Sequence, residues 1–238
     1  MVERDAAVLR RTAAFVVLAA ADVTWYLVAP HLGYAGHWPT IAIVAAGVLP
    51  ATLGLIYLAL PLWSNRWMIV AAAGFGLIAF ATWKLDWHLA SNFAKLAAYA
   101  CAGWAFLRLF EELAWVVLVA AIIPFVDALS VFAGPTKAIV HHHVEVYSAV
   151  AVAFVAPAGV AAFLGPPDII FFALFLAAAV RWRLRPGWTW VAMTAMYGLT
   201  LVIADLANVD GLPALPFLSA GFLLANADLL WRRLRPTR

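Results

Sequence analysis

Five aspartates stand inside apolar runs of this chain (Asp22, Asp127, Asp168, Asp205 and Asp228), with Glu111 and Glu112 at the edge of another run. A charged side chain at the centre of a bilayer costs at least about 2.5–3.5 kcal/mol, so such residues are functional candidates first. Asp127 and Asp168 belong to consecutive runs, which must be antiparallel if both span. With one helix ending near Gly134 and the next starting near residue 160, both lie roughly 10–12 Å below the same surface at 1.5 Å rise per residue. Paired carboxylates in a low dielectric cannot both ionise readily, so they share a proton. The ionised member can act as general base on a water while the protonated one polarises a carbonyl. Such a pair suits peptide hydrolysis, and equally a helix–helix hydrogen bond or a proton or ion path. Asp205 is the only rival at similar depth. Asp228 lies towards the opposite surface, and Asp22 is mid-helix without an evident partner.

The elements that would carry these residues follow from composition. Of 238 residues, 67% are hydrophobic and 11% charged, against about 25% charged in a soluble domain. The apolar runs are continuous rather than alternating, which selects helices over a barrel. The expected fold is an all-α polytopic membrane protein, a single transmembrane domain over 1–238. Its helices fall near 12–29, 39–62, 67–83, 91–109, 112–133, 160–182, 188–206 and 212–231. Residues 1–110 supply N-terminal helices, and 111–238 carry the candidate chemistry. Val146 to Ala156 is too short to span as a helix and is rich in Val, which suits a strand. If 145–157 did span, the helices would number about nine and the N-terminal arginines would face away from the C-terminal ones. The positive-inside pattern favours about eight helices, both termini cytoplasmic in a prokaryotic membrane, and 134–159 as an extracytoplasmic loop, re-entrant or β-paired in part. The arginines, gathered in short loops, fit anionic lipid rather than nucleic acid.

Three stretches carry a resemblance. "FVDALSVFAGPTKAIV" (125–140) resembles the first aspartate motif of the presenilin and signal peptide peptidase family, the GxGD intramembrane aspartyl proteases, and is nearest its prokaryotic members. "FVAPAGVAAFLGPPDIIFFALFLAAA" (154–179) resembles the stretch leading into the GxGD helix, and "GLPALPFLSAGFLLAN" (211–226) contains Pro213, Ala214 and Leu215 as the PAL motif. The order matches the family over residues 120–230. Val126 stands where the family has Tyr, Pro167 where it has the second Gly, and one of nine helices is missing. The resemblance implies Asp127 and Asp168 as catalytic dyad, with Gly165, Pro167, Pro213, Ala214 and Leu215 shaping the site. It implies a transmembrane peptide or protein as substrate, such as a signal peptide or single-span protein. It also implies that the substrate unwinds and pairs as a strand, with 146–157 as the candidate edge.

No metal or organic cofactor is required by this chemistry. "HHH" at 141–143, followed by Glu145, lacks helical metal-ligand spacing and reads as a solvated loop. Cys101 is the sole cysteine, so no internal disulfide forms. Gly74 and Gly76, among alanines, suggest close helix packing. Two other functions fit the same aspartates: a family-shaped protein that binds helices without cleaving them, and a proton- or ion-coupled transporter with carboxylates at helix breaks.

Overall fold

A computed structural model describes residues 2–133, 147, 149–209 and 212–234. Among these residues the chain is all-α apart from one hairpin. Its helices are α1 (Val2–Val28), α2 (His37–Leu62), α3 (Met68–Lys84), α4 (His88–Phe106), α5 (Leu113–Ala133), α6 (Pro166–Arg181), α7 (Pro186–Leu206) and α8 (Leu215–Leu234). α2 is interrupted by a π turn at Val44–Val48. That turn immediately precedes Pro50, which has no N–H for the carbonyl one turn back. Stretches of α1, α2, α5 and α7 (Ala6–His31, His37–Leu62, Leu113–Ser130 and Pro186–Leu206) are long and apolar enough to cross a membrane. Apolar side chains cover much of the outer surface, among them Val17, Leu77, Phe125 and Leu224.

Residues 134–146 and 148, with the three histidines, Lys137 and Glu145, lie outside the described residues. Beyond them the expected loop becomes an antiparallel hairpin, β1 (Val152–Ala156) and β2 (Gly159–Leu164). Pro157 and Ala158 make the turn, with Ala158 at φ 72 and Gly159 at φ 134. A proline followed by a positive φ is the signature of a type II turn. Val152 pairs with Leu164 and Phe154 with Ala162; the register then slips so that Val155 meets Val160, leaving Ala161 as a bulge.

The hairpin corrects the expected start of the next helix. Residues 160–164 are strand, and α6 begins at Pro166, so Asp168 occupies the first helical turn rather than the third. α6 is 16 residues long, roughly 24 Å at the helical rise. It forms the core: Ile169 and every residue from Phe172 to Ala179 are fully buried. A helix apolar all round belongs inside, and α4, α7 and α8 enclose it. The seam with α4 is closest at Gly103, where a Cβ would stand 2.2 Å from the Ile170 carbonyl oxygen. α8 approaches α7 similarly at Gly221, where a Cβ would be 2.9 Å from Met193 Cα. Gly74 and Gly76, by contrast, have no neighbour within 4 Å of a Cβ among the described residues, so the close packing expected of them is not seen there.

The two ends of the bundle differ in charge. The Arg11 guanidinium caps the Tyr57 and Leu58 carbonyls at the end of α2. Arg181 donates to Leu107 O, just past α4, and Arg233 donates to Trp182 O. Arg185 holds Asp228 through two bonds of 2.7 Å. Guanidinium groups here satisfy carbonyls left free at helix C-termini. The hairpin, Asp127, Asp168 and the start of α8 lie at the other end.

Candidate functional site

Asp168 is positioned by the break that precedes it. Pro166 and Pro167 occupy the first helical positions, where a missing N–H costs nothing and φ is already suitable. They therefore start α6 and do not kink it. Gly165 has φ −69 and ψ 162 and continues the extended path of β2. Its N–H donates to Asp168 Oδ2 at 2.9 Å, and its carbonyl accepts from Asp168 N–H at 3.1 Å. This reciprocal pair ties the carboxylate to the end of the strand. A Cβ on Gly165 would lie 3.4 Å from Asp168 Oδ2 and 3.6 Å from Pro167 Cδ, ordinary contact distances. The chain's own packing therefore does not demand glycine here.

Asp127, six residues before the end of α5, is partly buried, while its neighbours Phe125, Val126 and Leu129 face outward. Val126, in the position where a tyrosine was expected, is thus on the outer surface. The Asp127 carboxylate reaches α8 instead: Leu215 N–H donates to its Oδ2 at 3.0 Å. Helix starts leave N–H groups without partners and favour negative charge, so Pro213, Ala214 and Leu215 present a natural carboxylate acceptor site. Pro213 and Leu215 are buried. Asp127 and Asp168 lie close enough for their charges to act on one another.

Two tyrosines join them that the sequence did not single out. Tyr197 of α7 is buried, stacks on Phe172 with centroids 6.1 Å apart, and donates its O–H to the Asp168 carbonyl oxygen at 2.8 Å. Tyr147 packs edge-on against Phe163 of β2, centroids 5.8 Å apart. Burial, then the charges of Asp168 and Asp127, push the Tyr147 hydroxyl up to about 12. It therefore stays protonated at neutral pH. Neither tyrosine carries a periodicity or motif that would mark it; only the fold brings them in.

The rival carboxylates are accounted for elsewhere. Asp205 pairs with His37 Nε2 at 2.7 Å, and Asp228 with Arg185. Asp22, expected to lack a partner, accepts from Thr52 Oγ1 at 2.9 Å inside the N-terminal half. Among the described residues, no group of three His, Cys, Asp or Glu side chains is arranged to hold a metal ion.

The strand edge expected to receive a partner is occupied. Along β1, residues 151, 153 and 155 turn their carbonyls away from β2, following the two-residue period of a strand. Lys95 donates to Ala151 O at 2.5 Å, Trp25 Nε1 to Val155 O at 2.8 Å, and both Asn92 and Tyr26 to Ala153 O. The expected edge in 146–157 is therefore closed by side chains from α1 and α4. The other edge is different. Because Val152–Leu164 and Phe154–Ala162 face inward, alternation directs the N–H and C=O of Phe163 outward. Ala161 and Phe163 are exposed, and no bond to the Phe163 backbone is made among the described residues. The same alternation continues to Gly165, whose N–H meets Asp168. This edge of β2, unpaired among the described residues, thus leads to the Asp168 carboxylate.

Neither a protein-family model nor a curated protein matches the chain.

Proposed function

We propose that this chain is a membrane-embedded aspartyl protease of the GxGD type, hydrolysing a peptide bond in a transmembrane segment of its substrate. The observation that carries this reading is the meeting of three separated motifs: Asp127 accepts the Leu215 N–H of Pro-Ala-Leu, and Asp168 lies within reach of the Asp127 charge. Helices long and apolar enough to span, and an outer surface rich in apolar side chains, support the membrane setting. The arginines at one end support a cytoplasmic face there, with both termini on it and the dyad towards the opposite surface.

In the reaction, a substrate helix unwinds and lays its backbone along β2, gaining main-chain bonds at Phe163. Its scissile carbonyl then reaches the dyad beyond Gly165. One ionised carboxylate takes a proton from water, whose oxygen bonds to the carbonyl carbon. The other, protonated, donates to the carbonyl oxygen. Collapse of the tetrahedral gem-diol breaks the C–N bond: the amine nitrogen takes the proton held by one carboxyl, and the other carboxylate takes a proton from a diol hydroxyl, restoring the singly protonated dyad. Tyr197 and Tyr147 hold the groups around the carboxylates, and Gly165 leaves room for the substrate backbone.

Cleavage of a synthetic signal-peptide helix in proteoliposomes tests the proposal. Asp127→Ala and Asp168→Ala should each lower the rate at least about 10²–10⁴-fold, the usual contribution of a general acid or base. Full activity in either variant sinks the dyad. A second reading has one observation in its favour: each carboxylate already accepts a backbone N–H at a helix start, which is also a purely structural role. A non-cleaving helix binder would bind the signal peptide but not distinguish a hydroxyl-bearing transition-state isostere from its deoxy analogue.

A further inference from the structure

The arginine end carries a groove that the reaction does not use. It lies between α7 and α8, has a volume of about 390 Å³, and is lined by Arg185, Trp188, Val191, Ala192 and Ala225. Helical spacing makes its two walls. On α7, Arg185, Trp188 and Val191–Ala192 recur every three or four residues, as do Ala225, Asp228 and Arg232 on α8, so each set forms one stripe. Arg185 stands at the mouth, immediately before Pro186 opens α7. Val191 lies roughly 9 Å deeper at 1.5 Å rise per residue. The groove is thus charged at one end and apolar below, with the exposed Trp188 indole between.

The charge at the mouth is not cancelled. Asp228 accepts from Nη1 and Nη2 of Arg185 at 2.7 Å each and so orients the guanidinium. A guanidinium has five N–H donors, so three remain, one of them directed at Ala225 O at 3.4 Å. One turn beyond Asp228, Arg232 is exposed and joins no ion pair among the described residues. Two guanidinium groups therefore stand against one carboxylate. The start of α7 adds to them, because the first N–H groups of a helix have no carbonyl one turn back and favour negative charge.

A free phosphate would match the mouth and leave the apolar walls bare. A hydrocarbon chain alone would match the walls and leave the guanidinium groups without an anion. An amphiphile with an anionic headgroup and an acyl chain matches both, and a bilayer presents it at this depth. Trp188 also suits the headgroup level, where tryptophan is enriched.

We infer that this groove binds one anionic phospholipid, its phosphate against Arg185, Arg232 and the start of α7 and one acyl chain along Trp188, Val191 and Ala225. The inference needs only a bilayer setting and is independent of the protease reading.

Native mass spectrometry of the full chain in detergent, titrated with dioleoyl phosphatidylglycerol or dioleoyl phosphatidylcholine, tests it. One phosphatidylglycerol should bind at a concentration about tenfold below that needed for phosphatidylcholine. The double variant Arg185→Gln, Arg232→Gln should lose that preference. Val191→Trp, which fills the groove from an exposed position, should weaken phosphatidylglycerol binding to a similar degree and leave thermal stability unchanged. It decides the matter if the double variant does not fold. Arg66→Gln, at the same end but stacked over Trp67, should bind as wild type. Equal binding of the two lipids overturns the inference, as does a folded Val191→Trp chain with wild-type affinity. Arg66→Gln losing as much as the double variant would show attraction to the whole charged end and overturns it too. So does displacement of the lipid by glycerol 3-phosphate at equal concentration, which would make the occupant a free phosphate. Cleavage is not the readout, so each of these results leaves the protease reading where it stands.

Discussion

The two edges of the hairpin differ in what faces them. Along β1, the carbonyls of Ala151, Ala153 and Val155 are taken by Lys95, Asn92, Tyr26 and Trp25, four side chains from two helices of the N-terminal half. Along β2, the exposed Ala161 and Phe163 border an edge that ends at Gly165 and Asp168. An unpaired edge is normally a hazard that proteins blunt with charge, proline or a covering element. Here one edge has its outward carbonyls taken by side chains, and the other is left uncovered among the described residues, leading to Asp168. The contrast gives the N-terminal helices a structural role: their side chains take the outward carbonyls of β1 in place of a neighbouring strand.

The largest disruption should come from the seam that joins the two halves. A Cβ on Gly103 would fall 2.2 Å from the Ile170 carbonyl, in backbone that cannot rotate away. Gly103→Ala should therefore push α6 from α4, destabilise the protein by about 1–3 kcal/mol or more, and misplace Asp168. Thermal unfolding together with cleavage rate checks this; an unaltered melting temperature would mean the helices are not in contact there. The open edge is probed next. Phe163→Pro removes the outward N–H without touching the inward ladder, as proline is tolerated on edge strands. KM for the signal peptide should rise about tenfold, the equivalent of about 1.4 kcal/mol, with kcat and thermal stability little changed. A proline there without effect on KM would show that the substrate does not pair with β2. The sealed edge should respond in the opposite way. Trp25→Phe leaves the buried Val155 carbonyl without its donor and should cost about 1–3 kcal/mol of stability, while KM stays at the wild-type value. If Trp25→Phe instead behaved like Phe163→Pro, the two edges would not be functionally distinct.

Much of the site was legible because it depends on local chemistry. The apolar runs located the eight helices found among the described residues, since a continuous run satisfies its backbone only as a helix when water is absent. The helix expected from residue 160 starts instead at Pro166 and Pro167, and Asp168 occupies the first turn that they open. Of the three residues named as one site, Asp127 accepts the Leu215 N–H, and the Asp127 charge acts on Asp168. The start of α6 was misjudged because Val160 to Leu164 is as apolar as the helix that follows; hydropathy does not separate a buried strand from a helix over so few residues. Gly74 and Gly76 misled for a related reason. A glycine's neighbours decide whether its missing Cβ matters, and those are found at Gly103 and Gly221.

What the sequence determined by itself is therefore the set of elements: continuous apolar runs that form helices, and arginines gathered in short loops and towards the C-terminus. Those follow from the cost of burying charge and backbone, which each segment meets alone. The tertiary structure decided which group holds each aspartate, which strand edge is sealed, and which distant side chains hold the hairpin. Asn92, Tyr26, Tyr147 and Tyr197 are ordinary residues in an apolar sequence. They matter because a hydrogen bond extends about 3 Å, and only the packed bundle brings Ala153 within that distance of Asn92 and the Asp168 carbonyl within that distance of Tyr197.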